Sequence, residues 1–352
     1  MEPEDHPDPL IAVVCGGLGG ARLALAIQAA GLESLTCFIT NVADDCEHGD
    51  LLICPDTDAV LYALGGLFDE ERGWGVRGDV FPAGDDWFHI GHRDREQHRA
   101  RSAMLTAGLS LSATTARLAE KLGVRPRVLP ATDDRLRTHL HTPQGVLDWQ
   151  TWLVREQARP RVTAVEYRGI ERARPTAAVL AAVSTAALLV IAASSPVAST
   201  GPTLALPGIA AAIRARRGPT VVLSPVAYRR PLRTEGDARR AHARAALLAA
   251  VGIEHHPVAV ARSFADLVDA YVLDEADRAD LPAVGRLGLK VLVAPTVDRV
   301  GGASLIATLL ELIGATADGR AARADIVGTA NRRAQTRATS TGAPRGAWPG
   351  EL

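Results

Sequence analysis

Lysine is nearly missing from this chain of 352 residues, Lys121 and Lys290 being the two present, and arginine carries almost all the positive charge. Lys and Arg total 39 against 40 Asp and Glu, a formal charge of -1, so the chain lacks the basic excess that binding a phosphate backbone requires. Nucleic acid is not an expected partner. Aromatic residues make up 4% of the chain, which leaves Ala, Val and Leu to fill the core. Cysteine is also scarce: Cys15, Cys37, Cys46 and Cys54 all lie near the start, with no CxxC pair and no paired framework, as expected of a reducing cytoplasm. The opening MEPEDHPDPL is acidic and proline-rich, the reverse of a secretory leader. Long apolar runs are absent with one exception, Thr176 to Ala193. Alanine dominates that stretch, and Ser184 and Thr185 divide it into a helix-like half and a β-branched half, which predicts a buried helix feeding a short strand and no membrane span.

What is present reads as alternating strands and helices. Residues 10–14 (LIAVV) form an apolar run that enters CGGLGGARLALAIQAAG, where helical periodicity stops at Gly31. A second run, Leu35 to Thr40, completes a βαβ unit and implies a parallel sheet. Further runs at Arg127 to Leu129, Leu188 to Ala192, Thr220 to Leu223, Tyr271 to Leu273 and Lys290 to Val293 repeat the theme. The fold class is α/β, doubly wound. Between Asp56 and Val124 helical patterns occur without a buried strand, so the α/β core is expected over 1–55 and 125–315, with a helical insertion over 56–124. Beyond about Ala315 apolar periodicity is lost, and 316–352 reads as a disordered tail.

Gly16, Gly17, Gly19 and Gly20 stand between the first strand and the first helix, where glycines let the backbone approach a ligand and free N–H groups face an anion. A phosphate or nucleotide is the natural ligand, and a tight turn with close packing is the other reading. The second strand ends Phe38-Ile39-Thr40-Asn41 with no acid where a dinucleotide ribose would want one, which weighs against a nicotinamide or flavin cofactor. Asn41 to Asp58 (NVADDCEHGDLLICPDTD) follows that strand, and Asp44, Asp45, Asp56 and Asp58 are oxygen ligands suited to magnesium bridging carboxylates to phosphates. Asp56 reads more simply as the N-cap of the next helix. Cys46, His48 and Cys54 match no zinc framework. Arg93, His98 and Arg101 give the helix after Gly91 a cationic face, suited to phosphate or to ion pairs in solvent. Ser194, Ser195 and Ser224 each follow an apolar run and offer hydroxyls to a ligand or to turns.

In order and spacing, GGLGGARLA, NVADD, CPDTDAVLYALGGL, RGWG, IGHRDREQH, LPATDD and VLDEADRAD resemble the family of 2-phospho-L-lactate transferases of coenzyme F-420 biosynthesis, over roughly residues 10 to 295. The resemblance implies a Rossmann-like domain with a helical insertion that binds Fo, a deazaflavin, and a guanosine diphosphate-linked three-carbon acid. The ribityl hydroxyl of Fo attacks the distal phosphorus and GMP leaves. By the same resemblance Asp45 and Asp58 take the catalytic positions linked to Mg2+ and the ribityl chain, and His89 falls at a basic Fo contact. The glycine turn with Arg22 and Asn41, Arg93, and the loops of Ser194, Ser195 and Ser224 match substrate contacts. Dimerisation is an expectation at the level of the family, and the enolpyruvyl donor is its actinobacterial form. Three motifs depart from the family pattern: GDRD becomes GHRD at His92, SNP becomes Ser194-Ser195-Pro196, and a glycine-rich loop carries Tyr228, Arg229 and Arg230. A nucleotide-binding paralogue without the transfer step is the alternative.

Overall fold

A computed structural model describes residues 9–84, 86–297 and 302–313; the expected tail over 316–352 lies outside the described residues. From the N-terminal side, β1 (Ile11–Cys15) leads into α1 (Gly17–Ala29) and β2 (Thr36–Thr40), the βαβ unit of the sequence. A small hairpin, β3 (Cys46–His48) and β4 (Leu51–Ile53), precedes α2 (Pro55–Leu64), which starts on a proline whose missing N–H is no loss there. After a long loop come α3 (His92–Thr106) and α4 (Leu111–Lys121), then β5 (Arg127–Pro130). Next stands a three-stranded antiparallel sheet, β6 (Arg137–Thr142), β7 (Gly145–Asp148) and β8 (Ala164–Arg168), with β6 in the middle.

The alanine-rich stretch divides as expected, into α5 (Ala177–Thr185) and β9 (Leu188–Ile191), and no helix among the described residues is long and apolar enough to cross a membrane. The chain continues through α6 (Thr200–Ala205), α7 (Ile209–Ala215), β10 (Thr220–Leu223), α8 (Glu235–Ala250), α9 (Pro257–Phe264), β11 (Ala270–Leu273), α10 (Leu281–Gly285), β12 (Lys290–Val293) and α11 (Gly302–Ile313).

Seven strands form one parallel sheet in the order β12-β11-β10-β9-β1-β2-β5. The seven apolar runs of the sequence are these seven strands. The two-residue repeat of β1 sends Ile11, Val13 and Cys15 to one face, with α1, α2 and α11, and Ala12 and Val14 to the other, with α5, α7, α8 and α9. Strand order runs outward in both directions from the β1/β9 pair, so the loops after those strands part at the carboxyl edge and leave a crevice, the place where open α/β sheets take ligands.

Two glycines of the turn exist for packing at that crevice. A Cβ on Gly19 would stand 2.3 Å from the Ala193 carbonyl oxygen, and one on Gly20 would stand 3.0 Å from Cys15 Cβ. Backbone meets backbone at Gly19 and neither side has a rotamer to yield. Gly19→Ala is therefore expected to destabilise the fold by about 2 kcal/mol or more, seen as a lower urea midpoint at unchanged slope; an unshifted midpoint would remove this account of Gly19.

Candidate active site

At the start of α1 a protein carboxylate occupies the position the sequence reading gave to phosphate. Asp56 accepts from the Gly17 amide and lies against Gly16, where a Cβ would come within 1.9 Å of its Oδ2. Asp56 is not the N-cap of its own helix, as expected from sequence; Cys54 holds that position, and the Asp56 side chain reaches across to α1, where its charge meets the positive end of the helix dipole. The seryl groups are also engaged. Ser194 Oγ donates to the Gly16 carbonyl at 2.7 Å and accepts from its amide at 3.2 Å. Ser195 Oγ accepts from Ala198 N, and Ser224 Oγ donates to the Val226 carbonyl while accepting from Tyr271. Arg22 Nη1 donates to the Val297 carbonyl at 2.6 Å. These side chains shape the crevice wall.

Beside the turn, Asn41 joins two acids at the end of β2. Its Nδ2 donates to Asp44 Oδ1 at 3.1 Å, to Asp56 Oδ2 at 3.0 Å and to the Ala198 carbonyl at 3.1 Å. Asp44 and Asp56 also hydrogen-bond to each other, and burial with mutual repulsion pushes the carboxyl of Asp44 well up. Two buried carboxylates in contact cannot both ionise, so the pair holds one proton.

Asp58 is engaged elsewhere. Both its oxygens face the guanidinium of Arg101, with Nη1 to Oδ2 at 3.1 Å, and His98 Nδ1 accepts from Arg101 at 3.2 Å. The other ring nitrogen of His98 lies 3.2 Å from Asp94 Oδ1, which also accepts from Tyr62 at 2.6 Å. Burial alone would raise Asp94, yet the electrostatic pull of the His98 ring and its hydrogen bond, Tyr62 and Arg101 together hold it below its ordinary range. Of the expected cationic face of α3, His98 and Arg101 are turned inward, buried against acids of the protein, while Arg93 in its first turn is half-buried. The N-terminus of α3 is served from the preceding loop, where Asp79 accepts from the amides of Arg93 and Asp94 at 3.0 Å each, and Gly91 leaves room for it. His92 itself is exposed.

Asp45 differs from all of these. It is buried, its Oδ1 has no hydrogen-bond donor, and it takes a hydrogen bond from the Cys54 thiol. Burial pushes its carboxyl up to about 7, against the pull of Arg137, Cys54 and Arg101, with Asp58 adding to the rise. Sequence reasoning paired Asp45 with Asp58 as magnesium ligands. The residues present do not form that pair, because Asp58 is held by Arg101, and among the described residues no group of three or more His, Cys, Asp or Glu is arranged to hold a metal ion.

Asp45 lines a cavity of about 170 Å³, whose other walls include Asp44, His48, Trp87, Phe88, Arg135, Arg137 and Trp149. Trp87 and Phe88 meet edge to face at 5.1 Å, and Trp149 lies 5.5 Å from Trp152. Arg135 and Arg137 both reach Glu47. His89, expected at a ligand contact, is exposed, has a positive φ of 51° and lies outside the cavity lining, while its neighbours Trp87 and Phe88 face in. Arg137 and Trp149 went unnoticed in the sequence. The alternation of RTHLHT and the turn TPQG were the available signal, since they build the hairpin that carries both residues to Asp45.

Residues 11–288 match the family model described as 2-phospho-L-lactate transferase CofD. The chain belongs to this family. Curated relatives include the phosphoenolpyruvate transferase of Mycobacterium avium (strain 104), 32% identical over 346 residues, with 87% of this chain and 99% of that protein covered. That of Kitasatospora aureofaciens is 36% identical over 300 residues, with 81% and 91% covered. Among solved structures, a UPF0052-family protein of Bacillus halodurans shares the fold, with a TM-score of 0.58 at 17% identity over 86% of this chain and 99% of the other. As a member of the CofD family the chain is a transferase of small molecules.

The loop that departs from the family pattern is tied down. Arg229 binds Asp277 and Asp280, Arg230 reaches Asp274 at 3.4 Å, and the Tyr228 and Arg229 amides donate to Asp277 at 2.7 and 2.9 Å. Tyr228 meets the His256 ring at a tilt, with centroids 5.0 Å apart. The acids of VLDEADRAD therefore anchor this loop, and their charge is met by its arginines.

Proposed function

We propose that this CofD-family chain moves a phospho-three-carbon-acid group, phosphoenolpyruvate or 2-phospho-L-lactate, from a guanosine diphosphate-linked donor to the ribityl hydroxyl of Fo, with release of GMP. The names of the mycobacterial and Kitasatospora relatives favour the enolpyruvyl group. Asp45 is the observation that carries the reading: a buried carboxylate with one oxygen unpartnered, poised near neutral pH, at the edge of a cavity with aromatic walls.

In this reading Trp87, Phe88 and Trp149 receive the flat deazaflavin ring, and Asp45 accepts a hydrogen bond from the acceptor hydroxyl. As the hydroxyl oxygen bonds to the distal phosphorus, its proton passes to Asp45, the bridging P–O bond breaks, and GMP departs with the electron pair. Positioning and charge stabilisation supply most of the rate in such transfers. The ion pair of Asp58 with Arg101, whose charges act on Asp45, has a positioning role. A magnesium ion, if bound with the donor, would supply charge neutralisation.

Incubation with Fo, magnesium and each guanosine-diphospho acid, followed by mass spectrometry, tests the reading. GMP and phospho-acyl-Fo in equal amounts with one donor are expected. Folded protein that binds guanosine nucleotide but forms no product with any donor would replace this reading by that of a nucleotide-binding paralogue.

A further inference from the structure

Two arginines meet on one carboxylate at the wall of the Asp45 cavity. Arg135 stands just before β6, and Arg137 opens that strand. Arg135 engages both oxygens of Glu47, its Nη2 lying 3.2 Å from Oε2, while Arg137 Nη2 donates to Oε1 of the same group at 3.1 Å. All three residues line the cavity together with Asp45. Two other acids of the lining are bound elsewhere: Asp44 accepts from Asn41, and Asp148 accepts from the Thr151 amide at 2.9 Å and its hydroxyl at 2.5 Å. Glu47 is thus a single anion shared by two cations.

The members of this cluster are held with unequal firmness. The Arg137 side chain is 13% exposed, and its Nη1 donates to the carbonyls of Leu136 at 2.8 Å and Val42 at 3.4 Å. That Val42 carbonyl also accepts from the Asp45 amide at 3.3 Å, so the guanidinium is anchored beside the backbone of Asp45. Glu47, by contrast, is 48% exposed on the small hairpin, and Arg135 is 68% exposed. Ion pairs so open to water contribute little, so the Glu47 carboxylate can turn to solvent at small cost while Arg137 stays in place. A fixed guanidinium whose outer nitrogen is committed to an exposed glutamate is a receptor for a planar carboxylate, because its fork matches the two oxygens.

The chemistry of the donor sets where such a receptor has to stand. In a phospho-three-carbon acid the carboxyl carbon is separated from phosphorus by one oxygen and one carbon. A site for that carboxylate must therefore adjoin the group that takes the proton of the attacking hydroxyl, and Arg137 adjoins Asp45. We infer that Arg137, assisted by Arg135, binds the carboxylate of the three-carbon acid, and that Glu47 occupies this place until the acid displaces it. The inference rests on the donor reading above. It makes the cluster a reader of the carboxylate that lactate, enolpyruvate and glycerate share, blind to what distinguishes them.

Calorimetric titration of the full chain with GDP, with the guanosine-diphospho acid and with free phosphoenolpyruvate tests the site. The acid-linked donor is expected to bind at least tenfold more tightly than GDP, and Arg137→Met to erase that difference while leaving the affinity for GDP unchanged. Glu47→Gln, at an exposed position, is expected to tighten the acid-linked donor severalfold, because the competing carboxylate is gone; a glutamate that merely supports the fold would not produce this gain. An acid-linked donor bound no better than GDP, an affinity unaltered by Arg137→Met, or weaker binding in Glu47→Gln would each overturn the inference. If phosphoenolpyruvate binds and loses its affinity in Arg137→Met while neither guanosine compound binds, the carboxylate site stands and the guanosine-linked donor reading fails. If product forms with an acid-linked donor and Arg137→Met changes neither its affinity nor its KM, the donor reading stands and the carboxylate site fails.

Discussion

Asp45→Asn is expected to slow transfer by roughly 10²- to 10⁴-fold, the usual contribution of a positioned base, and at the same time to make the unliganded protein more resistant to heat at pH 8. Both effects come from the same burial. The carboxyl of Asp45 is raised from an ordinary 3.8 to about 7. Between those values the native state holds a proton that the unfolded chain has released, so this group's contribution to stability is full below about pH 4 and falls as pH rises through 7. At about 1.4 kcal/mol per pH unit the loss approaches 4 kcal/mol above neutrality, an upper bound that asparagine, which never ionises, escapes. Transfer has the opposite slope, rising with pH through the same region as the base form is populated. Melting temperatures and initial rates of both proteins from pH 5 to 9 check the prediction: the variant should lack the acid limb in rate and the decline in stability. Equal rates in the two proteins would remove Asp45 from the chemistry.

Arg101→Leu is expected to destabilise the fold by about 3–5 kcal/mol, since it leaves Asp58 buried without its counter-charge. The side chain of Arg101 is fully buried and that of Asp58 nearly so. Loss of the cation also frees His98 Nδ1 and weakens the hold on Asp94. Removing both charges, as in Asp58→Asn with Arg101→Leu, should restore at least half of the loss, because a neutral pair leaves no ion stranded. Urea denaturation of the two single variants and the double one decides the matter. A double variant no more stable than Arg101→Leu would place the effect in packing instead of charge.

The parallel sheet was legible because its central strands are covered on both faces, which writes them as apolar runs such as LLVI at β9 or TVVL at β10. β6, β7 and β8 lacked that signal. Their RTHLHT, GVLD and AVEYR are short, half-exposed and largely polar, and they become strands by pairing with one another. The same division runs through the site. Asp45 could be picked out as an acid just past a strand end. The capture of Asp58 by Arg101 could not, because DREQHRARSA has the charge pattern of a helix facing water and nothing local says that β4 and α2 will close over it. Likewise the glycine turn has the spacing of a phosphate cradle, and only the fold reveals that Asp56 arrives there first.

Because all seven strands run the same way, the crevice is assembled at the ends of several strands, and some of its contacts join residues far apart in the order of synthesis. The Gly16 amide meets its partner Ser194 across 178 positions of chain, and Asn41 meets Ala198 across 157. At about 5–20 residues per second, a ribosome needs on the order of ten to forty seconds to pass from one member of such a pair to the other. For that interval the first βαβ unit waits with its turn unclosed. Ligand binding is thus a property that the nascent chain acquires late and all at once, after β9 has been inserted beside β1.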